Sequence, residues 1–236
     1  MKNELVILMI TAASLGFLHT LFGPDHYVPF VVMAKVRKWS LVKTFWVTLL
    51  CGLGHISSSV LIGLAGIALG LTVSKIKVIE SFRGGLAAWM LLAFGLVYFI
   101  WGIQRAFKYR PHTHWHSHGD KANHLHPHKH DNDHMHIHNE DEKNITPWIL
   151  FTVFLFGPCE PLIPLLMYPA AKSSYWGLLL VTGVFGSITI LTMLSIVIIS
   201  SWGINLLPIS KLERFTHALA GGAVLLCGMA IIFLGL

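Results

Sequence analysis

The sequence predicts an all-α integral membrane protein with six transmembrane helices. Hydrophobic residues make up 54% of the 236 residues and charged residues only 12%, with a mean hydropathy of +0.66. A soluble core needs no such excess of apolar residues. Six segments reach the ~20 apolar residues that a helix needs to cross the hydrocarbon layer. The alternating pattern of a membrane-spanning strand is missing from the sequence, so helices are expected throughout.

The six segments lie in two halves on either side of a polar stretch. They cover residues 4–34, 43–72, 84–104, 146–171, 175–202 and 215–236. We expect a first three-helix membrane repeat over 1–104, a histidine-rich loop over 105–146 and a second three-helix repeat over 147–236. The first segment is expected to stay in the protein, although it resembles a cleaved signal peptide.

The first segment carries histidines on both sides of a helix break. Pro24 has no N–H and its ring clashes with the carbonyl four residues back, so the helix is expected to kink or unwind. In a straight helix, His19 and His26 would lie about 10.5 Å apart along the axis, too far to share one ion. Asp25 lies inside the break, and a carboxylate in an apolar span usually serves an ion path or a polar partner. His19, Asp25 and His26 are therefore predicted metal ligands or relays; the alternative is a polar cluster that joins helices.

The second segment carries a stripe of small and polar residues at spacings of three and four. Its members are Thr48, Gly52, His55, Ser59, Gly63, Gly66 and Gly70. Such a face packs against other helices and not against lipid. His55 is predicted to complete the metal site, the alternative being a packed, hydrogen-bonded histidine.

The fourth segment is interrupted as well, by the run GPCEP at 157–161 and by Pro164. These prolines cannot persist as regular helix in lipid, so the run must be buried or line a cavity. Glu160 is a candidate for cation passage or proton coupling. Cys159 is a candidate soft ligand, or else a small buried residue.

The two halves resemble each other, since FGPDH at 22–26 corresponds to FGPCE at 156–160. Gly95 and Gly228 correspond at a shift of 133 residues. Because each copy holds an odd number of helices, the second would enter the membrane from the other side. The fold is thus predicted as two inverted three-helix repeats with proline-broken first and fourth helices, an arrangement in which transporters build a central site.

Eleven of the fifteen histidines lie in the polar loop between the halves. They are His112, His114, His116, His118, His124, His126, His128, His130, His134, His136 and His138. Neutral imidazole is the commonest ligand for Ni²⁺, Co²⁺ and Zn²⁺. The loop has no apolar periodicity, so we expect it to be disordered without metal and to capture or sense the cation. The alternative is a low-complexity insertion with no role in the cell.

The charges predict a multi-pass protein of the cell (inner) membrane. Twelve Lys and Arg residues fall on the side of the histidine-rich loop and five on the other. The positive-inside rule then places the amino terminus outside and the loop in the cytoplasm. Basic residues beside apolar runs are topology signals, so no nucleic-acid partner is expected. Three widely spaced cysteines without a CxxC pair argue against a disulfide framework.

The motifs resemble those of a known family. HTLFGPDH at 19–26 resembles the histidine-aspartate-histidine signature of the nickel/cobalt transporter superfamily, and GLGHISS at 52–58 is similar to a motif of its next helix. The six-helix plan with a central histidine-rich loop is most similar to the nickel/cobalt efflux and urease-accessory membrane branch. The resemblance implies that His19, Asp25, His26 and His55 bind Ni²⁺ or Co²⁺.

The favoured function is transport of Ni²⁺ or Co²⁺, with Zn²⁺ also possible, by alternating access and with a lean to efflux. No enzymatic activity and no cofactor are expected. The sequence lacks a Walker A pattern, so an ion gradient or a partner would supply the energy. A homo-oligomer or a metallochaperone is a possible partner besides lipid and cation.

Two alternatives stay open. One is a membrane thiol oxidoreductase, because Pro158-Cys159 resembles a motif of disulfide-reductant carriers; Asp25 occupies the position where the first copy would need a second cysteine. The other is a non-transporting receptor that supplies nickel for metalloenzyme assembly.

We predict that the loop loses its affinity for Ni²⁺ below about pH 6, because protons compete with metal for the imidazole nitrogens. Titration of a peptide covering 105–146 with Ni²⁺ at about pH 7.5 and at about pH 5, on either side of the ordinary histidine pKa, measures this loss. Undiminished binding at the lower pH would exclude imidazole as the main ligand.

Overall fold

The structure is a computed structural model that describes residues 2–108, 145–171, 174–206 and 214–235. Within those ranges the chain forms eight α-helices, a 3₁₀ turn at Pro24–His26 and a short 3₁₀ stretch at 214–215. The predicted all-α class is confirmed for this part of the chain. The histidines between 112 and 138 lie outside the described residues, as does most of the predicted loop over 105–146.

The first segment is divided into α1 (Lys2–Phe22), the 3₁₀ turn (Pro24–His26) and α2 (Val28–Val36). Gly23 adopts an extended conformation, with φ −89° and ψ 92°, and Pro24 follows at the first position of the turn. The last bond of α1 runs from Gly23 N–H to His19 O at 3.1 Å. The predicted break thus occurs where proline removes a donor.

The next two helices form a hairpin. Ser40 caps α3 (Leu41–Ala68) by accepting from Lys43 N–H at 3.2 Å. Gly70, at φ +64°, provides the left-handed residue after it, and α4 runs over Val73–Lys108. The predicted start of this helix at residue 84 is wrong, because the charged residues before it are part of the helix.

The fourth segment is divided into two short helices, as its prolines predict. They are α5 (Thr146–Phe156) and α6 (Leu162–Ala171), separated by the interruption, the non-helical residues 157–161. The last two helices are α7 (Tyr175–Leu206) and α8 (Thr216–Leu234).

Five of the described helices, α1, α3, α4, α7 and α8, are long and apolar enough to cross a membrane. The helices α5 and α6 are shorter apolar helices. The chain is therefore a multi-pass membrane protein whose helices contact lipid. The described residues thus contain five long helices and one interrupted pair, and the count of six spanning helices stays a prediction.

The helices α4 and α8 cross at glycines, where their backbones touch. A Cβ at Gly95 would overlap the backbone N of Leu225, and one at Gly228 would lie 2.7 Å from Leu92 N. At a shift of 133 residues Gly95 becomes Gly228 and Leu92 becomes Leu225, so these two contacts are exchanged. The exchange is the behaviour expected of an inverted repeat, which stays a prediction.

Two apolar clusters fill the bundle. One contains Phe30, Phe154 and Met193, and the other contains Cys159 and Phe185. Phe154 and Phe185 both approach histidine rings, at centroid distances of 6.2 to 6.4 Å. The histidines of the first two segments therefore lie between the clusters, inside the protein.

We predict that Gly95→Ala destabilises the protein by roughly 1–3 kcal/mol, because the added methyl meets backbone that cannot rotate away. Gly85→Ala is the matched control, since a Cβ there meets nothing within 4 Å on the same helix. Thermal unfolding of both variants in detergent measures the difference. Equal midpoints for the two variants would show that the helices do not cross at these glycines.

Candidate metal centre

Three histidines from two separate stretches of chain meet inside the bundle. His19 lies in the last turn of α1, His26 ends the 3₁₀ turn, and His55 lies within α3. Ring centroids are 4.6 Å apart for His19 and His26, 5.2 Å for His26 and His55, and 6.2 Å for His19 and His55. One ring nitrogen of each residue lies within 4.8 Å of the other two.

The spacing suits a single metal ion. Nitrogens about 2.1 Å from a tetrahedral ion lie about 3.4 Å from one another. The separations of at most 4.8 Å among the three ring nitrogens approach this value. The interruption in the first segment produces this approach, since a straight helix keeps His19 and His26 apart.

Hydrogen bonds orient two of the rings. His26 Nδ1 lies 3.1 Å from Gly23 O, and His55 Nδ1 lies 3.4 Å from Phe154 O. A carbonyl oxygen only accepts, so each Nδ1 carries the proton and each Nε2 keeps a lone pair. Among the described residues, neither Nε2 has a hydrogen-bond partner, although both atoms are buried. Histidines that bind metal have this arrangement, in which an outer acceptor fixes the ring and the other nitrogen is left for the ion.

Two glycines let the backbone approach these rings. A Cβ at Gly23 would lie 2.5 Å from His26 Nδ1, and one at Gly157 would lie 3.0 Å from His55 Nδ1. Both glycines precede a proline in the interrupted segments. Each interruption therefore places a bare stretch of backbone against one imidazole.

The other predicted site residues take different positions. Asp25 Oδ1 lies 3.2 Å from His26 Nδ1, beside the ring that it contacts. Cys159 is fully buried, and its Sγ lies 3.9 Å from His19 Nε2. Glu160 is exposed and is not part of the histidine group.

A cavity of about 210 Å³ adjoins the histidines. Its walls come from the first segment, from α4, α5 and α8, and from the interruption in the fourth segment, through Leu91, Phe154, Pro158 and Ile231. A space of this size exceeds what one water molecule requires. The three histidine residues thus line a space large enough for an ion that keeps part of its hydration.

Two charged residues near the site were missed by the sequence reasoning. Glu80 and Arg83 lie in α4, both buried, with Arg83 Nη2 3.0 Å from Glu80 Oε2. Their positions, three apart with opposite charge, are a helical pairing pattern that could have revealed them. Arg83 was instead counted among the loop charges that set the topology.

The chain matches the sequence model of a family described as the cytochrome C biogenesis protein transmembrane region, over residues 28–235. The match covers most of the chain, so the chain belongs to this family. No curated protein and no solved structure matches the chain.

The expected membership of the nickel/cobalt transporter superfamily is therefore wrong. The family that matches is a membrane family of the thiol oxidoreductase type. The motif at 19–26 is short, and all of it lies before the matched region. The motif contains two histidines whose rings lie close together, but it did not indicate the family.

We predict that Gly23→Ala weakens binding of Co²⁺ by about tenfold or more, because the methyl pushes the His26 ring from its position. Gly183→Ala is the control, since a Cβ there meets nothing within 4 Å. Calorimetry on full-length protein whose eleven loop histidines are replaced by Gln measures binding at the buried histidines alone. Parent affinity in Gly23→Ala would contradict the proposed role of this glycine.

Proposed function

We propose that this member of the cytochrome c biogenesis transmembrane family binds a divalent transition-metal cation inside its helix bundle and moves it across the membrane. The observation that carries the proposal is the pair of buried, unpaired Nε2 atoms of His26 and His55, next to His19. A buried polar atom without a partner is costly, and a metal ion satisfies all three nitrogens at once.

The donor set favours borderline metals. Imidazole suits Ni²⁺, Co²⁺ and Zn²⁺, and one more donor from the Cys159 thiol would increase the preference for the softer ions. Asp25 supplies negative charge at the outer side of His26, which raises the basicity of a metal-bound imidazole. These donors and outer contacts support the proposed binding of such an ion.

The position of the site supports transport. The ligands come from an interrupted segment and from a helix long enough to span the membrane, and interrupted segments carry the ion sites of transporters. Our proposal includes the inverted repeat, alternating access with a lean to efflux, and no enzymatic activity. It also includes an inner-membrane location with the amino terminus outside. In this orientation the histidine-rich loop collects the cation in the cytoplasm. The partner there is a metallochaperone or a second copy of the chain.

The family match favours a second function, a membrane thiol oxidoreductase, and it does so more strongly than it favours transport. Cys159 is the thiol that this second function would use, since it lies in the interruption beside His19. The cysteines Cys51, Cys159 and Cys227 are all buried and free. Thiol–disulfide exchange would therefore join Cys159 to a cysteine of a partner protein, which supplies or accepts the two electrons.

We predict that His26→Ala and His55→Ala lower Ni²⁺ and Co²⁺ flux into proteoliposomes by about tenfold or more, because each removes a ligand. His217→Ala is the matched control, because its ring contacts Tyr98 OH at 2.9 Å and lies outside the group. Cys159→Ser is tested in parallel for flux and for electron transfer to a partner dithiol protein. Full flux in His26→Ala, together with loss of electron transfer in Cys159→Ser, would overturn the transport proposal in favour of the oxidoreductase function.

A further inference from the structure

Two ionisable residues of α4 are buried beside the interruption in the fourth segment. Glu80 is 0% exposed and Arg83 is 8% exposed. Charges inside a membrane protein are costly and are rarely retained without a partner or a role. Their hydrogen-bond partners among the described residues are Ser59, each other and the backbone of Gly157 and Cys159, and not the histidines.

Both side chains bind the backbone of the interruption. Arg83 Nη2 donates to Gly157 O at 2.7 Å, and Glu80 Oε2 accepts from Cys159 N–H at 3.3 Å. The prolines prevent these backbone groups from pairing within a helix, and lipid offers them no partner. The ion pair therefore supplies the hydrogen bonds that the interruption has lost.

Ser59 connects the same pair to α3. Its Oγ accepts from Arg83 Nη2 at 2.6 Å and donates to Glu80 Oε2 at 3.3 Å. Ser59 follows His55 by four residues, so the two lie on one face of the helix. One network thus joins α4, the face of α3 that carries a histidine, and the interruption.

The two anchored backbone groups belong to residues that touch the histidines. Gly157 approaches the His55 ring, and Cys159 places its Sγ near His19 Nε2. A shift of the interruption would therefore change the surroundings of both rings. We propose that Glu80 and Arg83 are positioning residues that clamp the interruption against the metal centre and hold Cys159 beside His19.

The purpose of the clamp rests on the proposed metal function, but the clamp itself can be tested without metal. Full-length protein with Cys51→Ala and Cys227→Ala leaves Cys159 as the one thiol. Because this thiol is fully buried, it should react slowly with N-ethylmaleimide. We expect Glu80→Gln and Arg83→Lys to accelerate this labelling by at least about tenfold, since an unpaired buried group forces the interruption to move. Lysine keeps the charge of Arg83 but has a shorter reach.

Ser59→Ala is the matched control, because it removes a hydroxyl and leaves both backbone contacts in place. We expect labelling in this variant to stay within about threefold of the parent, a change of less than about 1 kcal/mol in opening. Gel filtration and the thermal midpoint establish that each variant is folded; if Glu80→Gln does not fold, Arg83→Lys decides. Parent labelling rates in a folded Arg83→Lys protein would overturn the clamp.

A second measurement separates the clamp from the metal function. With the loop histidines also replaced by Gln, bound Co²⁺ gives an absorption spectrum that includes a sulfur-to-metal band when a thiolate lies in its coordination sphere. We expect the clamp variants to change this spectrum and Ser59→Ala to preserve it. Absence of Co²⁺ binding in the parent protein would remove the metal function, while accelerated labelling would still establish the clamp.

Discussion

A membrane interior offers no hydrogen bonds to the backbone, and this constraint shapes the centre of the molecule. Two segments are interrupted by proline, and each interruption frees peptide groups that must find partners inside the protein. In the first segment the Gly23 carbonyl meets the His26 ring. In the fourth, Gly157 and Cys159 meet the side chains of Arg83 and Glu80. Irregular backbone, charged side chains and histidines therefore occur together, because the side chains bond the peptide groups that the prolines free.

The sequence was sufficient to predict the helical class, the two interruptions and the residues that meet at the centre. Pro24 and the GPCEP run act locally, through a missing donor and a ring clash, so their effect can be derived from the chain alone. The convergence of His19, His26 and His55 followed from the break and from the small-residue face of α3. The ligand role of these histidines stays a proposal.

Other features depend on contacts between distant parts of the chain. The approach of Cys159 to His19 joins residues 140 positions apart, which no local pattern specifies. Arg83 appeared to be a loop charge, and Glu80 was given no role at the site, because a hydropathy profile counts charge without regard to pairing. Both residues are buried within α4, which begins at Val73 and not at residue 84. Family membership was also missed, since it rests on the pattern over 28–235 and not on a short motif.

The proposed metal binding and the proposed thiol chemistry would involve neighbouring atoms in this protein. Imidazole nitrogens bind borderline cations, and a thiolate binds the softer ones or exchanges disulfides. The family match indicates the second chemistry and the geometry of the histidines indicates the first. Because Cys159 adjoins His19, a metal held by the imidazoles would lie close to the sulfur and alter its reactivity.

The glycine contacts between α4 and α8 also restrict how the bundle can move. Backbones that touch directly cannot slide past each other without first separating, and separation would open voids in a close-packed interior. The two helices therefore behave as a single rigid frame. The helices α1 and α7 lie outside this frame and pack against each other. His19 lies in α1 and His55 in α3, so a displacement of α1 relative to α3 would separate two of the three imidazoles.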